Sequence, residues 1–359
     1  MKETPLRATH EALDAMMVDF DDWYLPGQYT SIIDEHNLVR NNVGVFDLCY
    51  MGELWLTGHD ALANIQNLVT QDIEMLSDRQ IAYTPMCRPD GTIVDLILVF
   101  RWDPKTFMLL VNGKNIEKDI NWIRDNINGD VNLSDQSEHT GMLSIQGPNA
   151  EAALQKLTRQ KLDSIQYYWF TTGNINGIEC VMSRTSFTGE DGFDVFCDGK
   201  DIEKIWNALL EAGKEVDVKP IGMYALDSLR LEGRLVTYGL DVDDNTNPIE
   251  ANLNWTVNLN KKGFIGYDVL KHKKENGVGR TLIGFEMPKG PVPRHGNPVV
   301  FEGKRVGIVT SACISPTLKK NIGLAMVPIS FKELGAKFDI EIRGKYFSAT
   351  VIETPFYKR

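Results

Sequence analysis

The chain has no apolar run near the ~20 residues that a membrane-spanning helix needs. Its N-terminus, MKETPLRATHEAL, also lacks the apolar segment of a secretory signal. Both absences point to a cytoplasmic protein with no membrane partner. Positive charge is short: 38 Lys and Arg stand against 49 Asp and Glu, a net charge of -11. Such a balance disfavours a surface that tracks phosphates, so nucleic acid is not an expected partner. The 5 cysteines are scattered with no CxxC pair, and the 6 histidines are equally dispersed. No disulfide framework, redox pair or metal site is expected. GxGxxG after a strand, GxxxxGKS/T and GxSxG are all missing, which removes the usual nucleotide loops and the serine elbow.

What is present is an ordinary globular composition, 43% hydrophobic and 24% charged. At 359 residues the chain exceeds one ordinary core, so two or three domains are expected. SIIDEHNLVRN (31–41) reads as a helix opening at Ser31, and DALANIQNLV as a second with Asp60 at its N-cap. Between them VGVFDLCYMGELWLTG has strand character. IAYTPMCRPDGTIVDLILVF reads as two strands joined through Pro89–Gly91. After the strand TFMLLVN, Ile116, Ile120, Ile123 and Ile127 recur at helical spacing. This mixture is an α+β pattern, and it resumes from about residue 140 with MLSIQ, AEAALQKL, ECVMSRTSF and FDVFC. Beyond KHKKENGVGR (271–280) short strands alternate with Gly and charged turns. The chain therefore divides into a body over 1–275 and a small all-β domain, barrel or jelly roll, over 276–359.

Three polar features sit in unexpected surroundings. GTIVDLILVF (91–100) is apolar on both faces of a strand except for Asp95. TGEDGFDVF (188–196) puts Glu190 and Asp191 between two glycines before an apolar strand. Glu190 is either a solvated turn residue or a carboxylate aimed into a cavity, where it accepts paired N–H donors. DDNTNPIEANL (243–253) strings turn formers ahead of an apolar segment, and QYYWF (166–170) supplies Tyr167, Tyr168 and Trp169 for a core or a ligand platform.

Long blocks of the chain resemble the glycine cleavage system T-protein (aminomethyltransferase) family. They include MVDFDDWYLPGQY, VRNNVGVFDLCYMGE, MCRPDGTIVD, VNGKNIEKD, SRTSFTGEDGF and DSLRLEGRLVTYGLDVDDNTNPIEANL, in family order over essentially the whole length. The resemblance implies three domains in a ring around a central tetrahydrofolate cavity, two of them α+β with the second inserted at about 52–138. It implies that Glu190 grips the pterin, that Met51, Tyr83, Asn112, Tyr167 and Tyr168 line its pocket, and that Trp255 belongs to the same wall. The KGCYxGQE motif of an iron–sulfur-assembly relative is absent.

The family's GGxxDDL carries two acids, the second working beside the folate nitrogen. Aligned from Met86 and Cys87, Asp95 takes the first place and Leu96 the second, and a leucine can neither orient an amine nor stabilise developing charge. Asp95 is then either satisfied behind the strand or a substitute acid. Three further departures cluster nearby: Tyr50 in HMGE, Phe187 in GYTGEDG and Leu226 in ARDSLRLE. Together they point to a demethylase-like paralogue that moves a methyl or methylene group from a small methylated donor to tetrahydrofolate. In that reading Tyr50, Trp23 and Tyr24 face a cationic donor, although Trp23 and Tyr24 also suit domain packing. The alternatives are an authentic T-protein served by a lipoyl carrier protein and releasing ammonia, or a folate binder without turnover.

Overall fold

Ser31 opens the first long helix as its pattern predicts. Its hydroxyl accepts from Asp34 N at 3.1 Å, and the helix runs Ile32–Asn41 with Glu35, His36, Val39 and Arg40 on the buried side. The computed structural model describes residues 1–359, and the chain forms two compact units. The first comprises Met1–Ile65, Ile73–Tyr83 and Ile97–Asp227; the second comprises Gln66–Asp72, Thr84–Leu96 and Ser228–Arg359.

The first unit is built on a six-stranded sheet in the order Phe170–Ile175, Ile178–Ser183, Gly192–Asp198, Thr140–Gln146, Gly44–Asp47, Lys219–Pro220. The helix Ile202–Ala212 covers it with Ile202, Ile205, Trp206 and Leu209, and Phe193, Val195, Leu143 and Ile145 complete that core. A three-stranded sheet holds the N-terminus (Lys2–Glu3, Met16–Phe20, Trp23–Gln28). VGVFDLCYMGELWLTG does not form one strand. It breaks into Gly44–Asp47 and Gly52–Thr57, which lie in different sheets. The break is chemical: the Asp47 carboxylate accepts from Cys49 N at 2.9 Å and Met51 N donates to Leu48 O, so the backbone turns on itself. The strand pair Ile81–Cys87 and Ile93–Asp103 belongs to a five-stranded sheet with Thr106–Val111, Gly52–Thr57 and Asn132–Asp135.

In the second unit Arg280–Met287, Lys320–Pro328, Lys304–Ser315, Pro298–Phe301, Lys337–Ile342 and Lys345–Ile352 close into a barrel. Alternate residues fill it: Ile283, Phe285 and Met287 on one strand, Phe338, Ile340 and Ile342 on another. The opposite face is covered too, since Leu282, Ile322, Leu324 and Met326 pack with Leu231. No helix is long and apolar enough to cross a membrane.

Candidate functional site

Glu190 is not a solvated turn residue. It is 4% exposed, and its Oε1 accepts from Arg40 Nη1 at 3.0 Å. The same guanidinium nitrogen donates to Thr188 O at 2.9 Å, so one arginine ties down both the carboxylate and the loop that carries it. Gly189, at φ +82°, supplies the left-handed turn between them. Asp191 takes a different arginine: Arg184 grips it through Nε at 2.9 Å and Nη2 at 2.5 Å. The two acids of the GEDG turn are thereby assigned to separate partners.

Tyr168 sits in the left-handed region at φ +62°, sparsely used by aromatic residues. Its N donates to Arg184 O and its O accepts from Ile81 N, which holds the strained residue between the two segments. Burial, then the neighbouring Tyr167 hydroxyl, pushes the Tyr168 phenol well up. The two rings meet edge to face at 4.7 Å, and Tyr167 is 52% exposed. Tyr83 is half-buried on the strand whose first residue makes the contact to Tyr168.

Tyr50, Met51 and Asn112 come together at another strand end. Gly52 pairs with Val111, so Met51 and Asn112 follow directly beyond that ladder. A side chain at Gly113 would meet Tyr50 O at 2.1 Å, and this glycine permits the close approach. Tyr50 packs edge to face on Phe20 at 5.8 Å, and burial pushes its phenol up. Trp23 and Tyr24 are already occupied: Lys2 Nζ lies 5.5 Å from the Trp23 ring and Arg7 Cζ 5.4 Å from the Tyr24 ring. Each ring thus already has one of the chain's own cations beside it.

Asp95 lies in the second unit, 0% exposed, with Oδ1 accepting from Leu96 N at 2.8 Å. The loop Asp243–Leu253 runs against the start of its strand, where Ile93 N donates to Thr246 O. The turn before the strand offers a second register for the motif. Gly91 is at φ +80°, its N donates to Arg88 O, and Arg88 N donates to Thr92 O, so Gly91 is the turn glycine. Counted from Gly91 as the second glycine of GGxxDDL, Val94 occupies the first acid's place and Asp95 the second. Leu96 is the motif's own leucine. Counting from Met86 and Cys87 runs across this turn and gives a register that differs by one residue. Trp255, also in the second unit, is 61% exposed, and its carbonyl accepts from Gln71 Nε2. Leu226 is buried and Phe187 half-buried.

Two buried systems were not found from the residues alone. One is a chain of Tyr29, His10, Asp47 and Thr4. Tyr29 Oη meets His10 Nδ1 at 2.8 Å, His10 Nε2 meets Asp47 at 2.9 Å, and Thr4 Oγ1 donates to Asp47 at 2.5 Å. Burial alone would raise the Asp47 carboxyl, but His10, Thr4 and Cys49 N outweigh it and hold it below the usual range. The other is a hydroxyl and amide network around Asp194, whose carboxyl burial pushes up to about 7 against the pull of Ser144 and Thr185. A histidine inside a short N-terminal helix and an aspartate in an apolar strand were the available signals for them.

The chain combines an α+β body, a closed C-terminal barrel and a buried carboxylate–arginine pair. The comparisons make this specific. The GCVT N-terminal domain matches residues 6–261, and the glycine cleavage T-protein C-terminal barrel domain matches 280–358. A Geobacillus sp. (strain WCH70) aminomethyltransferase is 45% identical over 361 residues, covering 100% of this chain and 99% of that protein. The Halothermothrix orenii aminomethyltransferase is 41% identical over 356 residues, 99% of this chain and 100% of the other. Among solved structures, glycine cleavage system aminomethyltransferase T from Bartonella henselae superposes with a TM-score of 0.94 at 26% identity, covering 99% and 98% of the two chains. The chain belongs to the glycine cleavage T-protein family. It is a tetrahydrofolate-dependent one-carbon transferase with the α+β architecture and C-terminal barrel that the resemblance implied.

Proposed function

We propose that the chain is an authentic aminomethyltransferase of a cytoplasmic glycine cleavage system. It takes an aminomethyl group from the lipoyl arm of a carrier protein, passes the methylene carbon to tetrahydrofolate and releases ammonia. The demethylase-like reading rested chiefly on an acid counted as missing; with Gly91 taken as the motif's second glycine, Asp95 fills that place. The observation that carries the proposal is the full burial of Asp95 in the strand that follows this turn. Full-length similarity to aminomethyltransferases at 41–45% identity supports it. Tyr50, Phe187 and Leu226 remain as differences in lining within the same chemistry.

The residues fit a folate. Glu190, with Arg40 on its Oε1, keeps acceptor capacity for the paired N–H donors of a 2-amino-4-oxopyrimidine edge. Tyr167 and Tyr168 offer aromatic surface, and Met51, Tyr83, Asn112 and Trp255 are assigned to the same lining. Bound folate would supply the nitrogens that accept the one-carbon unit. In this reading Asp95 orients the donor amine and stabilises positive charge as ammonia leaves. Tyr50 lines the donor side. The division into a body over 1–275, with an insert at about 52–138, and a domain over 276–359 belongs to the same reading.

The test is an assay with aminomethylated lipoyl carrier protein and tetrahydrofolate, reading ammonia release. Wild type should turn over, and Asp95→Asn should lose roughly 10²–10⁴-fold in rate with folate affinity retained. Wild type inert toward the carrier, yet forming 5-methyltetrahydrofolate from a small methylated donor, would restore the demethylase reading.

A further inference from the structure

We propose that Asp194 is a positioning residue for the folate site: its carboxylate anchors a one-way chain of hydrogen bonds through Ser144, Gln146 and Thr188 that sets the loop carrying Glu190. The inference rests on Glu190 being the pterin clamp of the proposed function.

Every link is short and every donor points the same way. Ser144 Oγ donates to Asp194 Oδ1 at 2.5 Å, and Thr185 Oγ1 donates to Oδ2. Gln146 Nε2 donates to Ser144 Oγ at 2.9 Å and to Thr185 O at 3.1 Å. Thr188 Oγ1 donates to Gln146 Oε1 at 3.1 Å, and the same hydroxyl accepts from Glu190 N at 3.1 Å. Asp194, Gln146 and Thr188 are all 0% exposed. Gly192 makes the path possible, since a Cβ there would meet the Gln146 amide at 2.5 Å.

This polarity is the one an ionised Asp194 imposes, because both of its oxygens accept. A protonated Asp194 must donate to one hydroxyl. Where it meets Ser144, that hydroxyl turns its own hydrogen away from the carboxylate, and the fixed donor order from Thr188 through Gln146 to Asp194 loses its anchor. The anchor's charge is thereby transmitted to the loop of the clamp. No cation offsets this charge nearby: the groups touching Asp194 from the flanking strands are Ser144 and Thr185, with Ser183 bonded to Thr185. The phenol of Tyr168 feels the same carboxylate, and Arg40 with Glu190 stands at the far end of the chain. Burial places Asp194's titration at about 7, inside the working range.

The experiment measures tetrahydrofolate binding to the full chain by equilibrium titration from pH 6 to 8.5. Wild-type affinity should fall as pH drops through about 7. D194N and T188V should each bind roughly fivefold or more weakly at pH 8, the worth of a lost neutral hydrogen bond. Both should also lose the pH dependence. T188V cuts the chain without touching the anchor and serves if D194N does not fold. A T188V protein that keeps the wild-type affinity and pH profile overturns the proposal. E190A separates the two readings: if it weakens binding while T188V does not, only the role of Asp194 falls. If E190A binds normally, the clamp itself is wrong and this inference falls with it.

Discussion

The six-stranded sheet of the first unit and the barrel of the second both bury carboxylates, but they treat them differently. Beside the barrel, Asp241 receives Arg230 at 2.5 Å, Ser311 at 2.5 Å, Thr310 at 2.8 Å and Thr237 N at 3.1 Å. Glu232 receives the Ser315 hydroxyl together with the hydroxyl and N–H of Thr317. These acids are stitched to loops and strands inside their own unit, and nothing is left over for a ligand. In the sheet, Asp194 has hydroxyl partners and no cation, and its chain of bonds leads to a loop whose glutamate is held by only one arginine. A carboxylate closed on all sides is a fastener. One left with spare capacity at the end of an oriented network is a tool.

The comparison breaks if the fastener proves dispensable. Arg230→Met strands Asp241 in the interior, and removal of one partner from a buried pair typically costs about 3–5 kcal/mol. Denaturant unfolding should show a loss of that size, and the double variant Arg230→Met/Asp241→Leu should recover part of it. A change under about 1 kcal/mol would mean that the barrel-side acids do not secure the unit.

Glu190→Ala should act on the ligand as well, weakening tetrahydrofolate by about 2–5 kcal/mol, well over tenfold, with some loss of stability because it strands the buried Arg40 guanidinium. Isothermal titration at constant pH checks it. The sheet's other acid sharpens the contrast through pH. The folded carboxyl of Asp194 is raised to about 7, against roughly 3.9 for an unfolded aspartate. The native state therefore holds the proton longer, and its stabilising contribution is full below about 4 and lost as pH rises toward 7. Relative to Asp194→Asn, wild type should lose stability across that window, with a ceiling of about 4 kcal/mol. Parallel stability–pH curves for the two proteins would remove Asp194 from the titrating set.

Much of this division was legible in the residues. The barrel strands follow from alternation and Gly turns, and Glu190 was singled out because TGEDG resembles a long family motif. The break at Leu48–Met51 was hidden, because an Asx turn needs only one aspartate amid strand-forming neighbours. Asp95 stood out as a lone acid in an apolar strand, but its register depends on which residue takes the left-handed turn, and only backbone conformation shows that. Arg40, His10 and Asp194 were missed for a common reason. Their partners lie 150, 37 and 50 residues away (Glu190, Asp47 and Ser144), and local pattern carries no trace of such pairings.

The smallest expected effect falls on an ion pair at the edge of the first unit. Lys114 Nζ lies 2.8 Å from Asp21 Oδ1, with the two side chains 56% and 42% exposed. Asp21 and Asp22, both at positive φ, form the two-residue turn of the hairpin Met16–Phe20 and Trp23–Gln28. Phe20, just before the turn, packs on Tyr50, so the pair appends a charge contact to a junction already fixed by ring packing and by Gly113. Water screens such a pair and both long side chains lose freedom in making it, which holds exposed pairs to about 0–1 kcal/mol. Lys114→Ala should therefore lower stability by less than about 1 kcal/mol, and the difference should vanish in about 1 M salt, where the screening length is ~3 Å. Folate affinity should be unchanged. A larger, salt-insensitive loss would show that the hairpin tip depends on this charge rather than on the Phe20–Tyr50 contact.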